Sequence, residues 1–197
     1  MNKQIAIAAL GLALTAPAAF AQGNDNGPWL VRGRILNLHS ANKNSDAVPV
    51  SINNKTFPEF DVSYFFSPNL AAELVLTYPQ KQDVRLAGST VGSLKHLPPT
   101  LSMQYHFTGM SVRPYVGAGL NYTMFSSVNL PTGLTIKKSS TGAAFGAGVD
   151  IPMGGGWLAN VDVKKVQIKT DISSNGAKID TFKVDPTLFS VGVGYRF

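Results

Sequence analysis

The sequence predicts an all-β fold, an eight-stranded antiparallel transmembrane β-barrel with short periplasmic turns and longer extracellular loops. Three observations carry that expectation. Segments of strand length place apolar residues on every second position, the connections between them alternate between short and long, and aromatic residues gather at the segment ends.

Residues 1–21 read as an export signal and stand apart from the fold. Lys3 gives a positive start, Ile5 to Leu14 is apolar, and Ala19-Phe20-Ala21 has the small-x-small pattern of a cleavage site. The apolar run falls short of the ~20 residues of a membrane-spanning helix, and Pro17 would end it. The barrel is therefore expected to occupy residues 22–197. No cysteine is present, so an exported chain of this sequence has neither a disulfide framework nor thiolate or zinc-thiolate chemistry. A formal charge of +6 would suit nucleic acid. An exported protein instead meets lipid phosphates and surface sugars, and no nucleic-acid partner is expected.

The first strand is Trp29 to Leu38, with Arg32 and Arg34 on one face. Pro58 to Phe66 has even-numbered apolar residues against Glu59, Asp61 and Ser63, and Leu70 to Tyr78 repeats the pattern after Ser67-Pro68-Asn69. Leu101, Met103, Tyr105 and Phe107 oppose Thr100, Ser102, Gln104 and His106. Val112 to Met124 is apolar on even positions and Thr141 to Ile151 on odd ones. Trp157, Ala159, Val161 and Val163 oppose Leu158, Asn160, Asp162 and Lys164, and the last strand alternates Phe189, Val191, Val193, Tyr195 and Phe197 with small or polar residues.

A soluble sandwich alternates as well, so the membrane reading rests on the connections and the rings. Ser67–Asn69, Thr108–Ser111 and Pro152–Gly156 are short, whereas Ser40–Thr56, Pro79–Pro99, Ser126–Ser139 and Thr170–Asp180 are long. Trp29, Phe66, Phe107, Trp157, Tyr195 and Phe197 collect at the short-turn end; Tyr78, Tyr122 and Phe125 lie toward the other. Closure leaves no sheet edge unsatisfied in hydrocarbon.

Inward positions carry Arg32, Arg34, Glu59, Asp61 and Glu73, which read as a structural salt-bridge network, since isolated buried ions cost several kcal/mol. Such side chains fill an eight-stranded interior and disfavour a water channel. Gly117, Gly119, Gly142, Gly146, Gly148, Gly192 and Gly194 also face inward, leaving room for bulky neighbours or for a ligand. No enzyme is expected. Ser102 and His106 share a face but sit ~13 Å apart along a strand, too far for a nucleophile and its base. His39, His96 and His106 have no metal-ligand spacing, and no metal or cofactor is expected.

Three stretches resemble the OmpW family of outer-membrane proteins: His96-Leu97-Pro98-Pro99-Thr100-Leu101, then Arg113 to Thr123, and Val184-Asp185-Pro186 with Gly194-Tyr195-Arg196-Phe197. The resemblance runs over essentially the whole mature chain. It implies an outer-membrane barrel for passive uptake of small hydrophobic molecules, with a lateral exit through the wall into the membrane. Tyr195 and Phe197 match the terminal aromatics read by the outer-membrane assembly machinery.

Pro98 and Pro99 lack the backbone donors a ladder needs, and beside the resemblance they mark a lateral opening; alone they also fit a rigid turn. Leu86, Val91, Leu94, Leu97, Leu130, Leu134 and Ile136 in outer loops form a candidate hydrophobic entrance, with loop-to-loop packing as the other reading. Lys81, Arg85, Lys95, Lys137, Lys138, Lys165, Lys169, Lys178 and Lys183 make a basic rim suited to outer-membrane lipid and lipopolysaccharide phosphates. Small hydrophobic ligands complete the expected partners of a monomer. The alternative is a non-transporting structural or surface-interaction barrel.

Overall fold

A computed structural model describes residues 27–42 and 50–197; the expected export signal lies outside the described residues. Among these, fourteen strands occur: β1 (Trp29–His39), β2 (Val50–Ile52), β3 (Lys55–Phe65), β4 (Leu70–Leu76), β5 (Gln80–Leu86), β6 (Ser89–Leu97), β7 (Thr100–His106), β8 (Arg113–Asn129), β9 (Leu134–Ile136), β10 (Ser139–Gly154), β11 (Trp157–Val166), β12 (Lys169–Ser174), β13 (Ala177–Lys183) and β14 (Thr187–Arg196). Eight of them form a closed antiparallel ring in the order β1, β3, β4, β7, β8, β10, β11, β14. The seam pairs β1 with β14, and Trp29 and Phe197 exchange backbone hydrogen bonds of 3.0 and 2.9 Å. Every membrane strand thus has two neighbours, as hydrocarbon requires.

Alternation sets the two faces. Phe60, Leu120 and Val191 are 58%, 67% and 57% exposed and face the lipid, whereas Arg32, Glu59, Asp61 and Glu73 are buried in the lumen. This inverts a soluble protein's arrangement. At the short-turn end the rings touch edge to face: Trp29 and Tyr64 lie 4.8 Å apart, Tyr64 and Phe66 5.2 Å, and Tyr105 and Phe107 5.2 Å between centroids. Trp157, Tyr195 and Phe197 continue that belt. The β10–β11 turn is tight because Gly154, Gly155 and Gly156 all adopt positive φ, which other residues rarely do.

The structure departs from the sequence reading above the outer membrane surface. The stretches read as long loops contain paired strands, with β5 and β6 forming a hairpin that pairs with β2 and β8, and β12, β13 and β9 forming a separate small sheet. The strand read as Leu70–Tyr78 stops at Leu76, three residues before Pro79, while β8 and β10 run on to 17 and 16 residues. The barrel therefore continues upward as a walled chamber.

Candidate functional site: a layered lumen

The lumen is built in three layers. At the periplasmic end Leu30, Phe65, Ala71 and Leu158 pack together, and the Arg196 guanidinium lies 3.9 Å from the Phe65 ring centroid while its Nε donates to the Gly27 carbonyl at 3.0 Å. Above this apolar plug is the charge layer. Arg32 grips Asp150 with Nη2 at 2.8 Å and Nε at 3.3 Å, and Nη1 reaches Asp61 at 3.0 Å. Arg34 Nη2 lies 2.7 Å from Asp61, 2.9 Å from Glu59 and 3.2 Å from Glu73. Lys164 Nζ is 3.2 Å from Asp162, 3.5 Å from Glu59 and 3.6 Å from Glu73. Tyr115 donates its hydroxyl to Asp162 and Asn160 its amide to Asp150, each at 2.8 Å. All five sequence-predicted charges meet here.

Asp150, Asp162 and Lys164 complete the layer and were missed as members, although their inward parity on β10 and β11 was readable. The inward glycines explain how so many long side chains fit. A methyl at Gly192 would stand 2.8 Å from Arg34 Cγ, and one at Gly194 2.9 Å from Arg32 Cγ. The layer is a plug, held by ion pairs and hydrogen bonds among buried side chains.

The outer layer is apolar. A chamber of about 230 Å³ is lined by Leu86, Val91, Leu94, Leu130, Leu134 and Ile136, joined by Val50, Ile52, Val84, Thr170, Ile172, Ile179 and Phe182. Leu97 is not among them; it occupies the opposite face of β6 from Leu94 and His96. The β2 and β12–β13 residues were missed because only short apolar runs mark them. A neck of about 20 Å³ shares Ile52, Leu94, Thr170 and Phe182 with the chamber. It shares Leu38, His96 and Ile168 with a second space of about 20 Å³ that rests on Glu59 and Lys164. His96, outside the membrane-spanning strands, is buried, and that burial together with nearby Lys55 lowers its pKa to about 4.

The lowest of these spaces reaches the wall at Thr77 and Pro98. Pairing of β4 with β7 ends at Val75 and Thr100 and resumes in the outer hairpin at Gln80 and His96. Among the described residues no backbone pair joins Leu76–Pro79 to Leu97–Pro99, a stretch holding three prolines. The β8 side is different. Tyr122 N–H donates to the Pro99 carbonyl at 3.0 Å, and the Asn121 amide donates to the carbonyls of Pro98 and Pro99 at 3.2 and 3.1 Å. The unpaired stretch thus lies on the β4 side, while the β8 side stays bonded.

Ser102 and His106 are both buried, but His106 Nε2 is 3.1 Å from the Gln104 amide oxygen and Nδ1 3.8 Å from Asp150. Tyr195 and Phe197 point outward into the aromatic belt.

A closed eight-stranded ring with a lipid-facing apolar wall, a plugged lumen and an outward-opening chamber defines a small outer-membrane β-barrel. The family model described as "OmpW family" matches residues 27–197, and the chain belongs to that family. It is 37% identical to an uncharacterized outer-membrane protein, y4mB, of Sinorhizobium fredii, over 92% of this chain and 85% of that one. It is 30% identical to outer membrane protein W of Vibrio cholerae, with full coverage of both. Among solved structures it is similar to OprG from Pseudomonas aeruginosa, with a TM-score of 0.76, 25% identity and coverage of 89% of this chain and 98% of that one.

Proposed function

We propose that this barrel mediates passive uptake of small hydrophobic molecules, which enter the outer chamber, descend the neck and leave sideways between β4 and β7 into the membrane. The observation that carries this reading is the succession of three apolar spaces with shared walls, closed below by the charge layer and ending beside the unpaired stretch at Thr77 and Pro98. A hydrophobic solute gains by leaving water at the chamber and again by entering hydrocarbon, so no energy source is needed. The charge layer disfavours onward passage, because a solute there would have to separate buried ion pairs.

The experiment is uptake of alkane, terpenoid and aromatic reporters into vesicles with a lipopolysaccharide outer leaflet, with and without the barrel. Faster entry with the barrel is expected. Equal entry across all three classes would leave the structural or surface-interaction barrel in its place.

A further inference from the structure

The floor of the path is not apolar. Lys164 is buried and lines the lowest space, yet its ammonium makes no hydrogen bond. Asp162, Glu59 and Glu73 form ion pairs with it at 3.2, 3.5 and 3.6 Å, but none accepts a hydrogen bond from it. An ammonium has three N–H donors, and buried donors left unused cost free energy. The space beside it, about 20 Å³, has room for one group of about the size of a water molecule. Thr77 Oγ1, which is also buried and without a hydrogen bond, belongs to the same space.

We propose that the lumen holds a binding site for amphiphiles, chain molecules with one neutral oxygen head, such as medium-chain alcohols. The head accepts a hydrogen bond from Lys164 Nζ and the chain lies in the neck and chamber above. This deepens the uptake reading and rests on it for the route by which the ligand arrives. A neutral head is favoured over a carboxylate, because three acids already surround the ammonium and a fourth negative charge would be repelled. A pure hydrocarbon would fill the upper spaces and leave the donors unused. Thr77 lines the same space, and its unused hydroxyl offers a further contact to a head group released from Lys164.

The test uses the full mature barrel in phosphatidylcholine vesicles, with lysine side chains labelled with nitrogen-15 and the Lys164 ammonium resonance assigned by its loss in Lys164→Arg. Adding 1-octanol should shift that resonance, and octane at the same loading should not. A charge-assisted hydrogen bond should favour the alcohol over the alkane by roughly tenfold in apparent affinity. In Lys164→Met the preference should fall toward parity; if that variant does not fold, the wild-type resonance decides alone. A resonance unmoved by either solute means that the space holds only water and overturns the site. So does an equal shift with both, which would report filling of space without a hydrogen bond. Failure of the uptake reading is separate: neither solute would then enter lipopolysaccharide-faced vesicles faster than in the absence of protein, whatever the resonance does.

Discussion

Arg34 should matter more to folding than Glu73, although the two touch. Among the described residues the charge layer sets Arg32, Arg34 and Lys164 against Glu59, Asp61, Glu73, Asp150 and Asp162. Glu73→Gln keeps the volume and removes one of five acids. Arg34, 3.2 Å away, still has Glu59 at 2.9 Å and Asp61 at 2.7 Å, so no cation is stranded. Arg34→Gln instead removes the cation closest to three acids and leaves Lys164, at 3.5 Å or more, to balance Glu59 and Glu73, with Arg32 3.8 Å from Glu73. Breaking a buried pair costs ~3–5 kcal/mol when a charge is left alone. We expect roughly that loss for Arg34→Gln, and about half of it for Glu73→Gln. Replacing both should cost less than the sum, because the stranded acid is removed with its partner. Urea unfolding in lipid vesicles, followed by the mobility difference between folded and unfolded barrel on unheated gels, measures this. An equal or greater loss for Glu73→Gln would refute the inventory of partners.

Three further outcomes follow from named contacts. Gly192→Ala should destabilise the barrel by ~1–3 kcal/mol in the same assay, because the added methyl meets Arg34 Cγ at 2.8 Å and the Gly33 carbonyl. Leu94→Trp, at the junction of chamber and neck, should slow reporter entry while leaving unfolding unchanged; unchanged entry would remove the neck from the route. His96 is held neutral, with its pKa lowered to about 4 by burial and then by Lys55, against ~6.5 when unfolded. The unfolded state therefore takes up a proton first as pH falls, so stability is full above ~6.5 and declines toward 4. The protection of the β5–β6 amides against hydrogen exchange, taken relative to the intrinsic rate at each pH, should fall across that interval, and His96→Phe should flatten the dependence.

Much of the barrel is legible in the sequence because membrane strands alternate without compromise: lipid accepts no charge, and the lumen accepts the rest. Phe60 beside Glu59 and Asp61, or Val161 beside Asp162, states both faces at once. The outer hairpins are less legible. Gln80, Gln82, Val84 and Leu86 do alternate with Lys81, Asp83 and Arg85, but the inward row begins polar and turns apolar, so no greasy face stands out. The same holds for β12, where Thr170 and Ile172 contact a chamber that exists only once β2, β5, β6 and β9 surround it. Leu97 shows the converse limit: an apolar residue in an apolar loop faces away because parity decides, and parity needs the register with Met124. The one-sided loss of pairing at Pro98 and Pro99 was half visible. Missing donors can be read from proline, but the repair on the β8 side depends on Asn121, which only the fold brings within 3.2 Å of both carbonyls.

Lateral exit is most directly tested by replacing Pro98 with Val and Pro99 with Thr, which restores strand-forming side chains and, at residue 98, a backbone donor on the β4 side, residue 99 being turned to β8 through its carbonyl. The measurement is the initial rate of hydrophobic reporter entry into lipopolysaccharide-faced vesicles, at matched amounts of folded barrel. The expected rate is close to that of protein-free vesicles, with unfolding unchanged or shifted to higher urea. A folded double variant that admits the reporter as fast as the parent protein would contradict it.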